Sequence, residues 1–557
     1  MRSAGHLGEG GMSGDSPTVR TGPSPRLLAG SIAGAAGLIA VVTLVGRAVG
    51  LGRWLAFSNG VGATCVGEIY ATANQVPNAF YEIAAGGALA AVVVPLVSGH
   101  LHRGREDLAD RTASALLTWC LTVLLPLSIL VAVLARPIAR LLLGPDEGCG
   151  TAAIDTAVTM LTVFAPQVVL YGIGIVLSGV LQAHQRFLAA AVAPLLSSLV
   201  VIGVYLAYGA WVAPDAGLAG APRNALLLLA WGTTAGVVAL SLPLLVPTWR
   251  AGVRLRPTWT FPAGTARRAG TLATAGILAV AAQQACVLVT VWLTNSAEGV
   301  GTLNVYTYAQ TAYLLPYAVL AVPLATAAFP RLTAEDAEPV LRRTLLAVVV
   351  AGVVGAVALV AVRREVGALF VTIDAGSGGS GATALQALPT ALAWYAPGLV
   401  GLAVAALLSR ALYARGAALL AGGAVALGWI VAALVPVVHL TQTQATPSQS
   451  LVTLGLGSSI GMSLTGILLI VLVRRSWGSA VTHRIWAPAL VALGGALLVL
   501  LGRELAAAVD VSHWAVALVS GLVTGCAVLA TALLALRVGA PAAFGDMVGG
   551  IRRRGVR

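Results

Sequence analysis

Lysine is absent from this 557-residue chain, so all 33 of its basic residues are arginine, which is read as genomic composition bias. Charged residues of both signs make up only 10% of it and aromatics 6%, whereas 58% is hydrophobic and mean hydropathy is +0.91. That leaves too little polar surface to face water, which excludes an ordinary soluble globule and makes lipid the solvent. A membrane β-barrel is excluded too, because the apolar runs far exceed the roughly 10 residues of a barrel strand and do not alternate. The five cysteines, Cys65, Cys120, Cys149, Cys286 and Cys526, show no metal-ligand spacing. Cys65 and Cys149 are expected on one side of the membrane, and no disulfide is assigned between them. The seven histidines are scattered over loops and ends, and no HExxH, Walker loop, G-x-S-x-G elbow or paired-Cys motif occurs. The reading is therefore of a non-enzyme without metal or cofactor. Transport would run on a gradient or on the membrane potential, with the coupling ion unspecified.

What the chain does have is long apolar runs. After a Gly-, Ser-, Pro- and Arg-rich tail at 1–25, spans are expected at 27–46, 69–98, 112–134, 155–182, 188–210, 224–247, 269–294, 302–329, 341–361, 385–409, 416–438, 450–473, 486–502 and 513–537. The first lacks a cleavage site and reads as a retained helix, not a signal peptide. The fold class is thus all-α and integral to the membrane, with fourteen helices. A net charge of +13 invites a nucleic-acid reading, but the arginines form short clusters between apolar runs, and no nucleic-acid partner is expected. Most fall in the tails and in the loops after spans 2, 4, 6, 8, 10 and 12. Only Arg136, Arg140, Arg223, Arg363, Arg364 and Arg503 fall opposite, with Arg47 and Arg53 at the end of span 1. By the positive-inside rule both termini are cytoplasmic, in a multi-pass plasma-membrane protein.

The chain also repeats itself. "FAPQVVLYGIGIVLSGVLQAHQRF" from Phe164 matches "YAPGLVGLAVAALLSRALYARGAA" from Tyr395 at an offset of 231, pairing Pro166 with Pro397 and Ser178 with Ser409. "VVVPLVSG" and "AAFPRLT" pair at an offset of 235. Copies six spans apart keep the same topology, which predicts parallel repeats about an axis along the membrane normal. The expected division is a six-helix bundle over 26–250, a second over 251–475, two added helices over 476–540 and a basic tail over 541–557. Substrate would sit between the bundles.

Polar residues inside spans mark candidate lining. On span 2, Glu68, Gln75, Asn78 and Glu82 share an arc of about 80°, which should face protein or a watery cavity, not lipid. Helix-to-helix hydrogen bonding and cavity lining are both open readings. On span 8, Asn304, Thr307, Tyr308 and Thr311 form a milder polar face, with Gln310 to its flank. Arg47 and Arg53 either snorkel to the headgroups or project inward to hold an anion, for which guanidinium suits phosphate oxygens. Pro77, Gly86, Gly87, Pro95, Pro166, Pro316, Pro330 and Pro397 are read as structural, with Pro77 expected to interrupt its helix.

"LVGRAVGLGRWLAFSNGVGATCVGEIYATANQVPNAFYEIAAGGALAAVVVPLVSGH", together with the 164–187 stretch and "GVGTLNVYTYAQTAYLLPYAVLAVPLATAAFPRLT", resembles the MurJ/MviN family of lipid II flippases, most closely its actinobacterial members. That family lies in the multidrug/oligosaccharidyl-lipid/polysaccharide exporter superfamily. The resemblance implies a fourteen-helix, V-shaped, alternating-access transporter that flips the undecaprenyl-diphosphate-linked peptidoglycan precursor, with cell wall synthesis or division proteins and membrane lipids as partners. It places the family's two first-span arginines on Arg47 and Arg53, its acidic residue on Glu68 and its Pro-Asn motif on Pro77 and Asn78. Two departures are visible: Tyr81 and Glu82 stand where many members have an Arg pair, and Gln310 and Thr311 where they have Asp-Arg. The rival readings are an exporter of drugs or polysaccharide-lipid intermediates, and a membrane scaffold for wall-synthesis enzymes.

Overall fold

The computed structural model describes residues 45–545 except 47, 85–89, 145–148, 151, 215, 263–264, 333–336, 441–444, 484 and 506–512; the side chains of 90–92, 265–276, 330 and 504–505 lie outside it as well. The expectations for Arg47, Gly86, Gly87, the Pro330 side chain and all but residues 45–46 of the first span at 27–46 therefore fall outside the described residues. Within them the chain is helical and carries no strand.

The first half comprises α1 (48–60), α2 (Cys65–Ile83), α3 (Ala90–Leu101), α4 (Glu106–Val133), α5 (Ala135–Leu143), α6 (Ala152–Phe164), α7 (Gln167–Ala183), α8 (Phe187–Trp211), the single turn α9 (Gly217–Gly220), α10 (Arg223–Ser241) and α11 (Leu245–Arg250). In the second are α12 (Thr265–Asn295), α13 (Thr302–Pro316), α14 (Val322–Ala328), α15 (Ala337–Ala361), α16 (Arg363–Ile373), α17 (Ala382–Tyr395), α18 (Gly398–Ala414), α19 (Ala418–Leu440) and α20 (Pro447–Trp477), followed by α21 (Trp486–Leu505) and α22 (Trp514–Gly539). Eleven helices among the described residues are long and apolar enough to cross a membrane, or twelve if the bent pair α17–α18 is one span. Their outer faces are apolar as lipid requires: on α4, Val123, Ile129 and Val133 are 57%, 57% and 72% exposed.

The repeat is visible in the backbone. α6 gives way to α7 at Ala165-Pro166, and α17 to α18 at Ala396-Pro397, where the axis turns by 54°. A proline ring cannot donate to the preceding turn, so both copies break at the same place, and Pro166 and Pro397 each stand as the N-cap of a 17-residue helix. The offset of 231 continues beyond the break. α8 and α19 start at Phe187 and Ala418, and the left-handed residue ahead of each is Gln185 (φ 59) in one copy and Gly416 (φ 75) in the other. Pro77, by contrast, does not interrupt α2, which runs through it for 19 residues. Pro95 is likewise inside α3, and Pro316 closes α13 just before a π-helical turn at Tyr317–Ala321.

Helix ends and close approaches follow local chemistry. Thr64 caps α2 by accepting from the Gly67 amide at 3.1 Å, and Thr446 with Gln449 forms a reciprocal capping box on α20. α19 and α20 meet at small residues, where a Cβ on Gly461 would lie 2.3 Å from the Gly428 carbonyl oxygen. One cross-link was not foreseen: Cys65 and Cys149, 84 residues apart, are joined in a disulfide with Cα atoms 5.5 Å apart. Spacing could not assign it, because a separation of 84 residues does not say which cysteines meet in the fold.

α21 and α22 are fastened to the second half by a buried ion pair. Glu365, 2% exposed, accepts from Arg503, which also bonds Thr524, and from the Ser520 hydroxyl at 3.3 Å. Removing one partner leaves an uncompensated charge in a low-dielectric site. Arg503→Met should therefore destabilise the purified protein by about 3 kcal/mol, while adding Glu365→Gln to it should restore part of the loss. Thermal unfolding of the single and double variants checks this.

Candidate functional site

Two polar constellations stand out, one between the halves and one inside the first half. The first lies on the face opposite the arginine-rich loops, where α1 turns into α2, α12 into α13 and α16 into α17. Asp374, just past α16 and 4% exposed, is its centre. Its Oδ2 accepts from the Ser58 hydroxyl at 2.6 Å and the Tyr308 hydroxyl at 2.7 Å, and its Oδ1 from the amides of Ala63 and Gly376, both at 2.8 Å. The Ala375 amide donates to the Ser58 carbonyl at 2.9 Å. Thus one carboxylate ties the end of α1 and the following loop to α13 and the loop after α16.

Two sequence-derived candidates belong to this seam. Glu68, 6% exposed, accepts from the Gly301 amide at 3.0 Å and the Leu303 amide at 3.5 Å, so it caps α13, whose first-turn donors have no helical partner. Asn304, 1% exposed, donates to the Gly62 carbonyl at 2.9 Å. Both face protein, the hydrogen-bonding alternative for their stripes. Farther along, Asn295 at the end of α12 donates to Thr72 on α2 and to the Leu142 carbonyl at the end of α5, each at 2.8 Å. Glycine makes the closeness of this seam feasible. Gly62 (φ 66) and Gly301 (φ 87) hold left-handed backbone, and a Cβ there would lie 2.7 Å from Asp374 Oδ1 and from Ala63 Cβ respectively.

The second constellation surrounds Arg53. Its guanidinium hydrogen-bonds Tyr205 and lies beside Tyr70 and Tyr171. The Tyr70 hydroxyl lies 2.9 Å from that of Tyr205 and 2.8 Å from Thr233 Oγ1. Tyr171 in turn donates to Asn78 Oδ1 at 3.0 Å and packs against Tyr81 with ring centroids 4.5 Å apart. Tyr81, Tyr171, Ser178 and Gln182 open onto a cleft of about 180 Å³ between α2, α3, α7 and α8. Gln75 and Asn78 are half-buried on this side of α2, and Glu82 is exposed. Thr307 and Thr311 do not join them: each returns its hydroxyl to a carbonyl of α13, at 3.0 and 2.9 Å. Gln310 bonds the hydroxyls of Tyr306 and Tyr395 within the second half.

The sequence profile of the family described as lipid II flippase MurJ matches residues 57–534, most of the chain. The chain belongs to the MurJ lipid II flippase family. Relatives include probable lipid II flippases of Rhizobium meliloti (strain 1021), 28% identical over 294 residues, 52% of each chain, and of Synechocystis sp., 34% identical over 237 residues, 42% of this chain and 43% of that one. The chain spans about half the length of the curated relatives it matches. The fold is shared with a lipid II flippase MurJ in an inward closed conformation, at TM-score 0.68 and 15% identity over 90% of this chain and 99% of that one. It is shared too with an inward-facing multidrug resistance transporter of the MATE family, at TM-score 0.61 and 15% identity over 80% and 99%. The family is one of transporters, not of catalytic enzymes.

Sequence reasoning missed Asp374, Ser58 and Asn295, and it read Tyr308 only as part of the span-8 polar face, not as a partner of Asp374. The only trace of Asp374 was an acidic residue leading into the glycine-rich "DAGSGGSG" after a helix. Its environment has a titration consequence. Burial raises the Asp374 carboxyl above its ordinary value, against the opposing effect of its Ser58, Ala63, Tyr308 and Gly376 hydrogen bonds. Opening the seam to water would return it to an ordinary value, so the closed seam gains stability below that value and loses it as pH rises through the raised one. Hydrogen exchange of residues 58–64 and 374–382, corrected for intrinsic rates, should accelerate as pH rises and the Asp374 carboxyl ionises. Asp374→Asn should remove that dependence.

Proposed function

We propose that this chain flips lipid-linked peptidoglycan precursor, lipid II, from the cytoplasmic to the outer leaflet of the plasma membrane by alternating access. Membership of the flippase family supports the substrate. Support for the mechanism comes from two halves held on one face by hydrogen bonds that water can replace. In this reading residues 26–250 and 251–475 are the moving bundles, 476–540 the added helices and 541–557 a cytoplasmic tail, fourteen spans in all. A gradient or the membrane potential drives the cycle without an ATP site, and wall-synthesis proteins receive the product.

The observation that carries the reading is Arg53 among tyrosines. Tyr205, Tyr70 and Tyr171 are neutral groups, so they orient the guanidinium without cancelling its charge and leave it available to a diphosphate. Arg47 is proposed to share the task, with Gln75, Asn78, Glu82, Thr307 and Thr311 lining the path. A charge-assisted bond contributes about 1.5–3 kcal/mol. Arg53→Ala should therefore reduce lipid II translocation by the purified, reconstituted protein by about tenfold to a hundredfold. Arg53→Lys should restore it in part, since charge remains and the planar fork is lost. Normal translocation by Arg53→Ala would remove Arg53 from the path. Glu68→Gln, which keeps an acceptor for α13, should cost less.

The proposed orientation puts Cys65 and Cys149 outside, in the compartment where disulfides persist. A membrane-impermeant reductant applied to intact cells should expose both thiols to an impermeant maleimide. Thiols that stay protected until the cells are broken would reverse the topology.

A further inference from the structure

The chain that joins the two halves lies as an extended strap along α4, and its bonding is periodic. The Arg254 amide donates to Asp110 Oδ2 at 3.1 Å, the Arg256 amide to Ser114 Oγ at 3.0 Å and the Thr258 amide to Thr118 Oγ1 at 3.0 Å. Trp259 Nε1 then donates to Thr122 Oγ1 at 3.1 Å, while Trp119 Nε1 donates to the Trp259 carbonyl at 3.0 Å. Every fourth residue of the helix serves every second residue of the strap. The match is metrical, since four helical residues rise about 6.0 Å and two extended residues about 6.6 Å. Pro257 falls between two donors, where the strap has no amide hydrogen to satisfy.

Extended backbone presents alternate residues to opposite sides. Val253 is buried in the core formed by α3, α4 and α7, with Leu255 and Phe261 packed against it. Arg254 and Arg256 are exposed, as are Arg250 just before the strap and Arg111 on α4, which donates to Thr260 at 2.8 Å. Trp249 and Trp259, 78% and 60% exposed, flank this row. Asp110 faces Arg254 and offsets part of its charge. Between Asp215 and Glu298 the sequence holds no carboxylate at all, so Arg250 and Arg256 have no acidic neighbour on their own segment. Exposed tryptophans fix an edge at headgroup depth, and a row of arginines there presents planar donors to phosphate.

We propose that this strap is a binding edge for anionic phospholipid headgroups of the leaflet that meets the arginine-rich face. Its backbone is pinned to α4, so the arginines form a fixed row and not a mobile polybasic tail. Bound lipid would then hold the junction of the two halves at a set depth. The inference does not depend on what the protein transports.

Native mass spectrometry of the full chain in detergent tests it, with phosphatidylglycerol and phosphatidylcholine of the same acyl chains as probes. Each cation near an anionic surface is worth about fivefold in affinity. The wild type should bind phosphatidylglycerol at least about tenfold more tightly than phosphatidylcholine, and the preference should shrink as salt is raised. Arg250→Gln/Arg254→Gln/Arg256→Gln should lose it, whereas the corresponding Arg→Lys triple should keep most of it. Equal binding of the two lipids by the wild type, or an undiminished preference in the Gln triple, would overturn the proposal. So would displacement of the lipid by inorganic pyrophosphate at equal concentration, which would make the row a soluble-diphosphate site. Should the Gln triple fail to fold, the salt titration of the wild type decides alone, a salt-insensitive preference contradicting the proposal.

Discussion

Hydrocarbon offers no partner to a backbone N–H or carbonyl, and each such group left unpaired there costs several kcal/mol, so irregular backbone in this protein must bring its own acceptors and donors. That constraint explains where polar side chains sit. The loop ahead of α13 is received by Glu68, the turn after α1 by Asp374 and Asn304, and the strap between the halves by the Asp110, Ser114, Thr118 and Thr122 face of α4. Of the residues that look in sequence like a lining for a polar cavity, Glu68, Asn304, Thr307 and Thr311 are here bonded to backbone.

The same economy suits the proposed parting of the seam. Its bonds run mostly between a side chain and a backbone amide or carbonyl of the other half. Each contributes only about 1 kcal/mol net, because water takes over when the bond breaks. Apolar side chains cross the seam as well, Phe57 lying against Tyr308 with ring centroids 6.4 Å apart in a core shared by both halves, so opening also exposes apolar area. A carboxylate at its centre adds a bias that pH can adjust. The first half's tyrosine-held Arg53 stands next to the seam, with Phe57 packed against Tyr70 and Tyr205 on one side and Tyr308 on the other.

The membrane class and the repeat were legible in sequence, because each rests on signals of twenty residues or more; the breaks at Pro166 and Pro397 were not, since 155–182 and 385–409 read as single spans and hydropathy does not register a change of axis inside an apolar run. The polar stripe of α2 was legible as a stripe, but its division was not: Glu68 turns to the α13 amides while Asn78 turns to Tyr171, and both directions satisfy one helical periodicity. Pro77 looked like a break and is absorbed within α2. Asp374 and the Cys65–Cys149 bond escaped because each joins residues whose proximity exists only once the loops fold over the helix ends.

The central claim is that the two halves separate across the Asp374 seam during transport. Spin labels at Trp211→Cys on α8 and Thr372→Cys on α16, exposed positions on that face in opposite halves, report it directly by pulsed electron resonance with the free cysteines replaced. In reconstituted protein given lipid II and a membrane potential, the account predicts a second, longer distance population that vanishes when the potential is dissipated. One unchanged distance in protein that is measurably translocating lipid II would contradict it.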